Sequence, residues 1–151
     1  MFLLARQRRS ARRISLCSAA LVAAALAVTA SAQQSFKVRL RPVPIEASTA
    51  ANTTGAGEAT ASLAGSKLTL RGNFAGLKGA ATVAHLHQGP VMGVRGPSFA
   101  DVTVPAATSG AFSAEITLTP AQVEGLRQRQ IYLQIHSQTA PDGNLWGWLV
   151  P

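Results

Sequence analysis

The chain carries three histidines in 151 residues, and they fall in two short segments. His85 and His87 stand two apart in Val83-Ala84-His85-Leu86-His87-Gln88-Gly89-Pro90. His136 sits in Ile131-Tyr132-Leu133-Gln134-Ile135-His136-Ser137. On a strand, alternate residues point the same way, so His85 and His87 share a face with their bases about 6–7 Å apart. Imidazoles so placed can converge on one ion through bonds of about 2.0–2.1 Å. Three of them with an open position form a donor set for copper or zinc. The same residue type suits a second task. A neutral imidazole donates through one nitrogen and accepts through the other, so the three could instead hydrogen-bond the Gly/Pro-rich loop Gln88–Ser98 and fix its path. Both readings stand at this stage.

Other chemistry is sparse. There is no Ser/His/Asp or Cys/His arrangement, and Asp101, Glu115, Glu124 and Asp142 form no carboxylate pair of recognisable spacing. No catalytic residue and no organic cofactor site is assigned. A second candidate surface lies in the terminal segment Asn144-Leu145-Trp146-Gly147-Trp148-Leu149. If Leu145 and Leu149 face the core, Asn144, Trp146 and Trp148 face out together. Two outward tryptophans make a patch for a protein, a glycan or another subunit, unless the 33–54 arm or the long loop covers them.

The elements that must position these residues are mostly strands. Phe36–Arg41 alternates apolar and basic residues, a half-buried strand pattern. Pro42 and Pro44 place it at a sheet edge, because proline cannot donate to a ladder. Ala47–Gly57 has loop composition. Glu58–Leu63 and Lys67–Phe74 flank Ala64-Gly65-Ser66 as a hairpin. Further strands are expected at Thr82–His87, Phe99–Val104, Ala111–Leu118, Gln130–Ser137 and Asn144–Val150, with a turn at Asp142-Gly143. In Gln130–Ser137, Ile131, Leu133 and Ile135 point inward, which sends Tyr132, Gln134 and His136 outward. Thr119-Pro120-Ala121-Gln122 offers an N-cap, proline at the first helical position and a capping-box glutamine, so Thr119–Arg127 is predicted to be helical. Seven or eight strands with one short helix predict an all-β sandwich.

Residues 1–32 have the form of a secretory signal: an Arg-rich start, an apolar run from Ile14 to Val28, and Ala30-Ser31-Ala32 as a cleavage pattern before Gln33. The apolar run is shorter than the roughly 20 residues that span a bilayer. Cys17, the one cysteine, lies within it. The net charge of +8 is largely a property of this leader. Arg6, Arg8, Arg9, Arg12 and Arg13 belong to it, leaving nine basic against six acidic residues beyond Ala32, a balance of +3. That argues against a nucleic-acid partner. The expected organisation is a signal peptide at 1–32, an edge strand and linker at 33–57, and a β-sandwich at 58–151. The protein is then secreted or periplasmic, with no membrane attachment after cleavage.

The H-x-H-x-G strand end, the Thr-Pro-x-Gln…Leu helix, the Tyr-x-x-x-His-Ser strand and Pro141-Asp142-Gly143-Asn144-Leu145-Trp146-Gly147-Trp148-Leu149 occur in an order and spacing that resembles the CHRD domain, the module named after chordin. The resemblance runs from about Glu58 to Pro151. It implies an immunoglobulin-like or superoxide-dismutase-like β-sandwich outside the cytoplasm, without a defined activity. Tryptophan at 146 and 148 departs from the charged or amide residues often found there. A fainter likeness is to copper–zinc superoxide dismutase, in which an H-x-H strand end and a later histidine near an Asp-x-Gly turn bind copper; His85, His87 and His136 match that pattern. Beyond Ala32 the chain has no fourth histidine, no cysteine and, after Arg129, no basic residue. Two functions follow as expectations. One is an exported, non-enzymatic CHRD-type module that binds a protein or cell-envelope ligand. The other is a metalloprotein with a three-histidine copper or zinc site, possible superoxide-dismutase-like chemistry included.

Overall fold

A computed structural model describes residues 33–151. The leader, its cleavage site and Cys17 lie outside the described residues. Eight strands and one helix follow in the order β1 (Gln34–Pro42), β2 (Ala56–Ala64), β3 (Lys67–Ala75), β4 (Ala81–Gln88), β5 (Ser98–Val102), β6 (Gly110–Thr117), α1 (Pro120–Arg127), β7 (Ile131–Ser137) and β8 (Ala140–Trp148). The strands form one antiparallel sheet in the order β5-β4-β7-β8-β1-β2-β3-β6. The sheet is nearly closed on itself, with β5 and β6 approaching each other. The all-β fold with one short helix is thus the one expected.

Alternation builds this sheet. Phe36, Val38 and Leu40 of β1, Ala59, Ala61 and Leu63 of β2, and Leu68, Leu70 and Phe74 of β3 point into a single core. Leu86 of β4, Ile131, Leu133 and Ile135 of β7, and Leu145 of β8 meet them there, as does Leu149 just past the end of β8. Helix α1 starts with a complete capping box: Gln122 N–H donates to Thr119 Oγ1 at 3.3 Å, and Thr119 N–H donates to Gln122 Oε1 at 2.8 Å. Its Leu126 is fully buried in the same core, and Val123 packs against it.

Two local expectations are corrected. First, β1 is not an edge strand. It pairs with β2 along Gln34–Leu40 and with β8 at Arg41 and Pro42, so it joins the two halves of the sheet. Pro42 is tolerated because it ends the strand; the next ladder bond comes from Val43 N–H to Asn144 O at 3.1 Å. Second, the turn between β7 and β8 is at Gln138-Thr139, with Ser137 opposite Ala140. Asp142-Gly143 lies inside β8, where the register shifts between Ile135 and Ser137. The extra residues Pro141–Gly143 form a bulge, with Gly143 at φ +133°, a conformation that suits glycine.

Candidate functional site

The outer face of β5-β4-β7-β8 gathers the candidate residues. The β4–β7 register sets Val83 opposite His136, His85 opposite Gln134 and His87 opposite Tyr132. His85 therefore sits between the other two histidines. Its ring centre is 5.9 Å from that of His87 and 4.9 Å from that of His136, with both pairs edge-to-face. Imidazoles sharing one ion have centres roughly 4.5–6 Å apart, given bonds of about 2.0–2.1 Å. The rings are neighbours at that spacing, although among the described residues no three His, Cys, Asp or Glu side chains are closed around an ion position.

Each ring is held by one nitrogen. His85 Nδ1 is 2.8 Å from Asp101 Oδ1, His87 Nδ1 is 3.0 Å from Gly96 O, and His136 Nδ1 is 2.7 Å from Pro141 O. A carbonyl oxygen only accepts, so neutral His87 and His136 carry their proton on Nδ1 and are left with a bare lone pair at Nε2. Both Nε2 atoms are buried and have no hydrogen-bond partner. Burial is the main reason that both rings titrate below the ordinary histidine value of 6.5. The carbonyl bonds of Gly96 and Pro141 oppose that shift, whereas the neighbouring His85 and the Arg95 cation add to it. The two rings are consequently neutral near pH 7, the form that binds a metal.

The loop-support reading holds for one ring of the three. His87 anchors the Gln88–Ser98 loop through Gly96, whereas His85 reaches β5 and His136 reaches the β8 bulge. That bulge leaves carbonyls without ladder partners, and the side chains of β7 satisfy them. His136 takes Pro141 O, and Gln134 Nε2 donates to Asp142 O at 2.8 Å.

Tyr132 and Gln134 do project from the outer face, but they are not solvent-exposed. Their relative exposures are 1% and 3%. Asn144 is fully buried as well, accepting from Ser137 Oγ at 3.0 Å and donating to Thr54 O at 2.6 Å. Alternation fixes which way a side chain points; the loop and the bulge decide whether water reaches it. Trp146 and Trp148 are partly buried. Tyr132 lies between His87 and the two indoles, with ring centres 4.7 Å from His87, 5.6 Å from Trp146 and 4.7 Å from Trp148. Arg95 of the loop stands 5.7 Å from the Trp146 ring centre, within cation–π range. The loop thus covers Trp146 through Arg95, while Arg41 of the 33–54 arm stands opposite Trp146 across the ladder.

Sequence reasoning did not single out Asp101, Arg95, Gly96 or Tyr132. Asp101 meets His85 only because β5 pairs with β4 in a register that sets them opposite. The one signal for Arg95 and Gly96 was the glycine and proline content of their loop.

A family model described as the CHRD domain matches residues 27–149 of the chain. Neither a curated protein nor a solved structure matches it.

Proposed function

The chain belongs to the CHRD-domain family, and from the geometry of its histidine face we propose an exported, non-enzymatic binding module whose ligand is a copper or zinc ion taken by that face. One observation carries the proposal: His87 and His136 each present a buried, unpartnered Nε2 on one face, with the proton fixed on Nδ1. A buried acceptor left unpaired costs about 1–3 kcal/mol, and coordination would repay it. His85 stands between them with Asp101 behind it, the carboxylate–histidine arrangement that orients a metal ligand and raises its basicity. His87, His85 and His136 would hold the ion, and an ion held there would offer Lewis-acid or one-electron chemistry at its open position.

The rings' hydrogen-bond partners are a carboxylate and two main-chain carbonyls, so each ring is oriented as a ligand and none is paired with a serine or cysteine. Export rests on the leader read at 1–32. Among the described residues no helix is long and apolar enough to cross a membrane.

The test is zinc or copper titration of metal-stripped protein by calorimetry, with metal analysis of protein purified without chelator. Stoichiometric binding that is lost in His87→Gln and His136→Gln supports the proposal. Unchanged binding in the double variant, or no binding in the native protein, overturns it.

A further inference from the structure

The other half of the sheet carries a second feature that the histidine face does not explain. Outward residues of β1, β2, β3 and β6 line up in rows across the strands. Lys37 is opposite Thr60, Thr60 opposite Arg71, and Arg71 opposite Ser113. In the next row Arg39 is opposite Glu58 and Glu58 opposite Asn73. All of these except Ser113 line an open groove of about 570 Å³. Three cations face one carboxylate there, and among the described residues no ion pair involves Lys37, Arg39, Arg41 or Arg71. Arg41 extends the β1 row by one more alternate residue, so three cations on one strand repeat every two residues, roughly 6.5–7 Å.

We propose that this groove binds an acidic polysaccharide, with Lys37, Arg39 and Arg71 meeting its carboxylate or sulfate groups and Thr60 and Asn73 its hydroxyls. The site does not depend on the histidine reading. Charge complementarity selects a polyanion. A single-stranded nucleic acid would want aromatic platforms for its bases; Phe36, Phe74 and Phe112 of these strands are all turned into the core. A protein partner would want buried aromatic or aliphatic anchors at the centre of its footprint, and the groove instead presents three cations, one carboxylate, a threonine and an asparagine among small residues. A linear acidic glycan needs the repeated charge and the hydrogen-bonding side chains that are present.

The experiment is retention of the protein, expressed from the full chain, on immobilised dextran sulfate, polygalacturonate and neutral dextran at low salt. Retention on at least one acidic polymer and not on neutral dextran is expected, weakening steeply with added salt. A preference for dextran sulfate assigns sulfate as the anion, and a preference for polygalacturonate assigns carboxylate. Lys37→Ala/Arg39→Ala/Arg71→Ala should weaken binding about tenfold or more, while Arg127→Ala/Arg129→Ala on the helix side leaves it unchanged. Glu58→Lys, which adds charge without removing a contact, should tighten it, so the proposal remains testable if the triple variant fails to fold. Absent retention by the native protein, equal retention by the triple variant, or full displacement by single-stranded DNA at lower concentration than by either glycan would each overturn the proposal.

Discussion

The imidazole of His87 lies flat on the phenol ring of Tyr132, with centres 4.7 Å apart and planes 7° from parallel, and both residues are tied to Gly96. Gly96 O accepts from His87 Nδ1 at 3.0 Å and from the Tyr132 hydroxyl at 3.2 Å, while Gly96 N–H donates to that hydroxyl oxygen at 3.2 Å. One loop residue thereby orients a candidate ligand and closes the cover over the aromatic cluster. A side chain at Gly96 would run into the main-chain carbonyl of Gln88, so the position has no room for one.

Removing the hydroxyl separates cover from stacking. Tyr132→Phe keeps the ring against His87 and loses the bonds to Gly96. It should cost about 1 kcal/mol in urea unfolding and speed amide exchange at Gly96. Tyr132→Ala removes a buried ring and should cost about 3–5 kcal/mol. Equal costs for the two variants would mean that the ring itself contributes nothing.

Gln134 is a structural residue despite pointing outward. It is buried and bonds the Asp142 carbonyl of the β8 bulge. Gln134→Leu leaves that carbonyl unpaired and should cost roughly 1–3 kcal/mol. Alternation taken alone predicts a negligible cost. Leu133→Ala on the inner face should cost about 2–5 kcal/mol. Chemical denaturation of the two variants decides between the readings.

Acid should destabilise the protein through its histidines. His87 and His136 titrate below 6.5 in the fold, chiefly because burial disfavours their charged forms. Below that pH the unfolded chain binds more protons than the native one, so stability falls as pH drops. Their stabilising effect is complete above about pH 6.5 and lost as pH falls through the lowered native values. His87→Gln/His136→Gln should flatten the pH profile of unfolding free energy between about pH 5 and 7. A profile identical to the native one would show that these rings do not carry the dependence.

Metal should act on the same window. If zinc or copper binds only the native state, it raises the unfolding temperature by mass action. The rise should fade below about pH 6, where protons compete for imidazole. His87→Gln should remove most of it, and Asp101→Asn should weaken affinity roughly 10–100-fold by withdrawing the carboxylate behind His85. Thermal scans with and without metal at two pH values measure both effects.

Export has its own check. Cleavage after Ala30-Ser31-Ala32 predicts that the N-terminus of the exported protein is Gln33 or within a few residues of it. N-terminal sequencing that finds Cys17 retained would remove the basis for placing the protein outside the cytoplasm.

The sequence alone determined whatever depends on local periodicity. Alternation in Lys67–Phe74, Ala111–Leu118 and Gln130–Ser137 located three strands and their inward residues to within a residue or so at each end, Thr119-Pro120-Ala121-Gln122 defined the helix start, and the i, i+2 spacing put His85 and His87 on one side. Tertiary structure decided whatever depends on which strands are neighbours. His136 meets His85 only because β7 pairs with β4, and Asp101 backs His85 only because β5 flanks β4 on its other side. Pro42 suggested an edge, yet β1 lies mid-sheet, because one missing N–H at a strand end does not stop the residues before it from pairing on both sides. Outward was likewise not the same as exposed. Period 2 assigns a side chain to a face, but only the return of the Gln88–Ser98 loop and the β8 bulge over that face buried Tyr132 and Gln134 and left two imidazole nitrogens without a partner.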